Sequence, residues 1–135
     1  MSGESAKPES SIAGFRFVEQ PGEVPAASTF IANIPAGVRS KQMLLHIFAD
    51  QLEFPEYFSN NWDSLEECLR DLSWLRASNI QIHHRDIPLP LGSQDRRIYL
   101  QILQSASTFW SVSILHRFES VFPAKCRAEV LSLRA

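Results

Sequence analysis

From Ser28 to Phe122, every strand-forming segment of this chain is followed by helix-forming sequence before the next strand begins. Residues 28–34 are β-branched and apolar, and Pro35 and Gly37 close them. Residues 79–84 alternate, with Ile80 and Ile82 on one face, and residues 115–122 offer a third strand. Helical periodicity from Ser40 to about Leu52, and again from Asn61 into residues 73–77, fills the first gap. A helix capped by Ser93 and running to Phe109 or Trp110 fills the second. Strands joined by helical crossovers run parallel, since antiparallel neighbours need only a short turn. The expected fold is α/β: a small three-stranded parallel sheet covered by helices. An extra C-terminal helix is expected from Pro123, with Cys126, Val130, Leu131 and Leu133 inward.

The flanks are simpler. Residues 1–14 are rich in Ser, Glu and Pro and are expected to form a disordered leader, leaving 15–135 as a single domain. Phe15 and Phe17 alternate, which allows a short edge strand, and Gln20-Pro21-Gly22 breaks it. Residues 87–92, with Pro88 and Pro90, are a loop packed through its leucines. No apolar run approaches a membrane span and no secretory leader pattern is seen, so the expected location is the cytoplasm. The two cysteines, Cys68 and Cys126, sit in apolar helical contexts and read as reduced thiols.

The stretch from Phe54 to Leu72 carries the most information. It opens as an aromatic loop, Phe54-Pro55-Glu56-Tyr57-Phe58, followed by a Ser59-Asn60-Asn61 turn. Pro55 stops the preceding helix, and Asn61 is a good N-cap for the next one. Trp62, Leu65, Cys68 or Leu69, and Leu72 then recur at helical spacing as an apolar stripe. Asp63, Glu66, Glu67 and Arg70 fall on the other side. Aromatics beside carboxylates on a short rigid support suit a protein-binding surface better than a catalytic one.

The net charge of −2 hides a division. Residues 40–75 hold seven acids against Lys41 and Arg70, a balance of −5, whereas residues 76–135 carry a balance of +4. An acid-rich segment in a nearly neutral chain favours a basic partner there and steers its approach. A simpler account also fits these acids. Asp and Glu in a first helical turn complement the helix dipole with no partner at all, and Asp63 with Glu66 has capping-box spacing if the helix starts two residues later.

The run from Leu52 to Leu72, with its Pro-Glu-Tyr-Phe, Asn-Trp-Asp-Ser-Leu and Glu-Cys-Leu, resembles the signature of barstar, and the order of elements agrees over roughly residues 28–122. That family comprises small intracellular protein inhibitors of secreted, guanyl-specific ribonucleases of the barnase type. The resemblance implies a barstar-like three-stranded parallel sheet and an inhibitory surface made of the aromatic loop and the helix after it. It implies that Tyr57 packs on the nuclease, that Asp63 is an acid near the start of the binding helix, and that Glu67 stands at the dominant acid. Phe58, Asn61 and Glu66 complete the expected partner-binding set. Four positions depart from the pattern: Glu67 for Asp, Phe58 for a second Tyr, Glu66 for Trp, and Ser59 for Gly. Asp95 is the candidate for the family's later acid, and Arg96 and Arg97 follow it at once. For Glu66 a binding role and a plain surface role stand level.

Other chemistries are declined. His83 and His84 are adjacent in a strand and point to opposite faces, so they cannot share a metal ion, and His46 and His116 add no ligand spacing. Cys68 on the buried stripe reads as core rather than nucleophile. The five glycines are scattered, leaving no phosphate loop. Arg96, Arg97, Arg117, Lys125 and Arg127 suggest a nucleic-acid surface, but no aromatics interleave them, and a solvated surface is expected. The chain is therefore expected to be a non-enzyme without cofactor or metal. Its expected partner is a basic extracellular-type ribonuclease, with no direct contact to nucleic acid or membrane, and the chain is a monomer or weak homodimer. The alternative is an interaction or dimerisation module using Tyr57 and Phe58.

Overall fold

The computed structural model describes residues 10–12, 14–19 and 28–133. Five strands form one sheet: β1 (Ser10–Ile12), β2 (Phe15–Val18), β3 (Thr29–Ile34), β4 (Asn79–His84) and β5 (Arg117–Pro123). Four helices accompany them: α1 (Lys41–Gln51), α2 (Trp62–Asp71), α3 (Gln94–Trp110) and α4 (Arg127–Leu133). The spatial order is β1-β2-β5-β4-β3. β3, β4, β5 and β2 run parallel, and β1 pairs antiparallel with β2.

The parallel sheet thus has four strands rather than the expected three. Phe15–Val18 leaves the edge role to β1 and adds to β5, with Phe15 opposite Ser120 and Phe17 opposite Phe122. Its phenylalanines are fully buried, which supplies the reason for its place. β1 falls within the expected leader; the remainder of that leader except Gly14, and the break at 20–22, lie outside the described residues.

The sheet is two-sided in character. Register places Phe30, Ile80 and Phe118 side by side, then Ala32, Ile82, Ser120 and Phe15; Ile34 pairs with His84, which stacks on Phe122, the partner of Phe17. This face joins Leu44, Leu45 and Phe48 of α1, Leu65 and Leu69 of α2, and Tyr99, Leu100 and Leu103 of α3 in one core. The other face is largely polar: Gln81 donates to Glu119 at 3.3 Å and lies 2.8 Å from His83 Nε2. The difference in polarity between the two faces explains why β4 alternates, whereas parallel strands apolar on both sides read as continuous apolar runs.

Several element ends differ from the sequence expectation. α2 stops at Asp71, because Leu72 takes a left-handed cap at φ 47° and donates its N–H to Cys68. Trp74 and Leu75 still cover the core from the loop that follows, with Trp74 Nε1 donating to the Leu52 carbonyl at 2.8 Å. β5 starts at Arg117, leaving Leu115 exposed. Pro123 ends that strand, and a 3₁₀ turn over Ala124–Cys126 precedes α4. Cys126 is a half-buried free thiol whose pKa burial raises.

Arg96 departs most from its expected role. It is buried, not solvated. Its guanidinium donates to the carbonyls of Ile87 at 2.9 Å, Pro88 at 3.1 Å and Leu89 at 2.6 Å, and pairs with Glu129 of α4. A desolvated cation is tolerable only when its donors are met in this way. The contact pins the 87–92 loop onto α3 and removes Arg96 from any basic surface.

Two expected outcomes test this packing. Gly14 has φ +86°, and a Cβ there would lie 2.3 Å from Ser107 Cβ, whereas Gly37 at φ +80° has open space around it. Gly14→Ala is expected to lower stability by about 2–4 kcal/mol and Gly37→Ala by about 1 kcal/mol, read from urea midpoints. His84 stacks on Phe122 at 3.9 Å, donates from Nδ1 to the Val121 carbonyl at 3.0 Å, and takes the Tyr99 hydroxyl on Nε2 at 2.5 Å. Burial pushes its pKa from 6.5 down to about 3. The folded state holds it neutral, so its contribution is complete above pH 6.5 and is lost as pH falls from 6.5 toward 3. Unfolding measured in this window is expected to lose about 1.4 kcal/mol per pH unit through this group, and His84→Gln removes that component.

Candidate functional site

The site is built on α2. Asn61 adopts extended backbone and accepts the Ser64 N–H at 2.7 Å, so the helix begins at Trp62 and the later capping-box start is not used. Ser64 returns the favour to the loop, its Oγ accepting the Ser59 N–H at 2.8 Å. Leu65, Cys68, Leu69 and Leu72 are all fully buried, so the stripe includes both Cys68 and Leu69. With 3.6 residues per turn, that azimuth obliges Asp63, Glu66, Glu67 and Arg70 to face outward.

The far end of α2 is held by donors from elsewhere. Trp110 Nε1 donates to the Leu69 carbonyl at 2.7 Å, and His116 faces the carbonyls of Leu72 at 3.2 Å and Ala77 at 2.8 Å. At the near end, Trp62 Nε1 donates to Asp95 Oδ1 at 3.2 Å, so α2 and α3 start side by side. The Lys41 ammonium lies 5.7 Å from the Trp62 ring centroid. Asp95 is thereby bound to the α2 start, whatever else it does.

The six expected site residues separate into two groups. Asp63 and Glu67 are exposed and make no hydrogen bond or ion pair among the described residues. Tyr57 is 47% exposed, and its hydroxyl meets Asp71, which shares a hollow with Asp63 and Glu67. The other three are engaged internally. Phe58 packs on Phe54 at 4.8 Å between centroids, and Phe54 meets Trp74 at 5.9 Å, so Phe58 anchors the loop from below. Asn61 is the helix cap. Glu66 accepts the Ser105 hydroxyl at 2.7 Å and pairs with Arg70 at 3.3 Å, while Arg70 also donates to Ser105 at 2.7 Å and lies over the Phe109 ring. Glu66 therefore ties α2 to α3.

Asp71 was missed by sequence reasoning, which saw only one more acid on the helix. The Tyr57 hydroxyl donates to Asp71 Oδ2, fourteen residues away. Burial of the hydroxyl end, and then this bond, raise the Tyr57 pKa above the ordinary phenol value. Asp71 lines a shallow hollow with Asp63, Glu66, Glu67 and Arg70. Beneath it, burial pushes the Cys68 thiol up to about 11, the state of an unreactive core cysteine.

The arrangement can bind cations and N–H donors and can stack a ring. Among the described residues no group of three or more His, Cys, Asp or Glu side chains is placed to hold a metal, and no helix is long and apolar enough to cross a membrane.

The comparisons with known proteins bear on this geometry directly. No curated protein and no solved structure matches the chain. A family model described as Barstar (barnase inhibitor) matches residues 30–123, a span that runs from β3 through β5 and contains the aromatic loop and all of α2. The chain belongs to the barstar family.

Proposed function

We propose that this protein is an intracellular inhibitor of a barnase-type, guanyl-specific ribonuclease or a related nuclease toxin, acting by covering its basic active site. The observation that carries the reading is the pair Asp63 and Glu67, exposed and unpartnered among the described residues, in a hollow shared with Asp71, to which the half-exposed Tyr57 is bonded. A nuclease cleft must attract a phosphodiester with positive groups, and carboxylates on a rigid helix can stand in for phosphates there. Membership of the barstar family supports a protein partner of this kind. Glu67 is the principal acid, Asp63 a second one, and Tyr57 contributes its ring. Phe58, Asn61 and Glu66 shape and hold this surface from within. The place where such an inhibitor protects RNA is the cytoplasm.

A second reading, association through apolar surface, is favoured by one observation. Val112, Ile114 and Leu115 follow α3 with exposures of 90%, 100% and 69%. An interface of that kind would be indifferent to salt and to Glu67.

Purified protein mixed with several barnase-type ribonucleases is expected to stop RNA cleavage at stoichiometric amounts of inhibitor with at least one of them. Undiminished cleavage at excess with all of them refutes the proposal. Association is expected to slow about tenfold or more between low and high salt, as charge-steered encounters do. Glu67→Ala is expected to weaken the complex by about 2–4 kcal/mol, roughly thirty- to a thousandfold. Glu19→Ala, which removes one exposed acid just past β2, serves as the comparison and is expected to change affinity less than about threefold.

A further inference from the structure

The loop carrying Tyr57 is fixed at several points. The Phe58 N–H donates to the Pro55 carbonyl at 3.1 Å, the Ser59 N–H to Ser64 Oγ at 2.8 Å, and Ser59 Oγ to the Tyr57 carbonyl at 3.3 Å. Asn60 turns the chain at φ +57°, and Phe58 seats the loop on Phe54. All of these hold the backbone and the inner face. The outward ring of Tyr57 is tied through its hydroxyl, which bonds Asp71 and also meets the Cys68 thiol.

That tie has a chemical consequence. A phenol has one O–H to donate, and here it is already committed to a carboxylate. What remains for an approaching protein is the ring face, the lone pairs of the phenol oxygen, and the Asp71 carboxylate. The polar groups left on the phenol and on Asp71 are acceptors, and the nearest cation of the hollow, Arg70, is already paired with Glu66 and Ser105. Asp71 also borders the hollow shared with Asp63 and Glu67, so carboxylates continue from this spot along α2.

We infer that Asp71 is a positioning and specificity-determining residue, holding the Tyr57 ring in its binding orientation and leaving only acceptors there, so that the partner must bring a cationic, hydrogen-bond-donating side chain to this point. The identity of that partner rests on the inhibitor reading above; the tether itself does not. Pre-ordering an aromatic side chain removes an entropic cost from association, and a planar guanidinium or an imidazolium satisfies both the ring and the carboxylate beside it.

A double-mutant cycle on the full chain tests this, with Tyr57→Phe, Asp71→Ala, their combination, and Asp71→Asn, which keeps an acceptor for the hydroxyl. The first readout needs no partner: amide hydrogen exchange at Phe58 and Ser59. It is expected to quicken by about tenfold in Tyr57→Phe and Asp71→Ala and to stay near the wild-type rate in Asp71→Asn. The second is dissociation from a barnase-type ribonuclease that the wild-type protein inhibits. Tyr57→Phe and Asp71→Ala are each expected to dissociate about tenfold faster, and the double variant no faster than Asp71→Ala, since both remove the same tie. Unchanged loop exchange in Asp71→Ala overturns the tether. Additive effects on dissociation overturn the positioning role, because Asp71 and the hydroxyl would then touch the partner separately. If no such ribonuclease binds the wild-type chain, the inhibitor reading fails, and the exchange experiment still decides whether Asp71 orders the loop.

Discussion

Everything at the candidate site follows from how deeply one side of α2 is sunk. Leu65, Cys68, Leu69 and Leu72 are fully buried, and a helix with that much apolar surface in a core cannot rotate about its axis. The outward direction of Asp63 and Glu67 is therefore a by-product of packing, fixed before any partner arrives. The two ends are secured by different means, Asn61 closing the first turn and a left-handed Leu72 with the Trp110 indole closing the last. A surface on such a support loses little freedom when it binds, which is the condition for a small interface to be tight.

The charges on that surface are not equivalent, although they look so in the sequence. Glu66 and Arg70 answer each other and Ser105, and Asp71 answers Tyr57. Only Asp63 and Glu67 are left with their full field directed at solvent. Where the barstar pattern has a Trp, this chain has Glu66, and the acid is absorbed by an arginine one turn on and a serine on α3. The replacement changes how the two helices are joined more than it changes the outward charge.

Much of this was legible from residue spacing, and the rest was not for identifiable reasons. Helical periodicity placed Asp63 and Glu67 outward, the Asn61 cap was readable from its side chain, and the alternation in 79–84 marked a strand with one apolar face. β2 was harder, because its four residues join the parallel sheet through β5, a hundred residues later in the chain. The end of α2 was misplaced because Leu72 adopts a left-handed conformation that local preference disfavours. Arg96 has the composition of a surface residue, and only the carbonyls turned toward it by the 87–92 loop make it an interior one. Phe58 and Asp71 could not be assigned from the sequence, since which aromatic faces inward and which acid meets the hydroxyl are settled by tertiary geometry.

The buried Arg96 also shows where the unit of dependence lies. The region that matches the family ends at Pro123, yet the carboxylate that neutralises Arg96 is Glu129, on α4. A helix outside the shared region supplies the counter-charge for a cation inside it. Once such a pairing exists, neither half can be lost alone without stranding a charge in low dielectric. The smallest piece of this chain that can keep its interior electrically neutral is therefore longer than the region that matches the family.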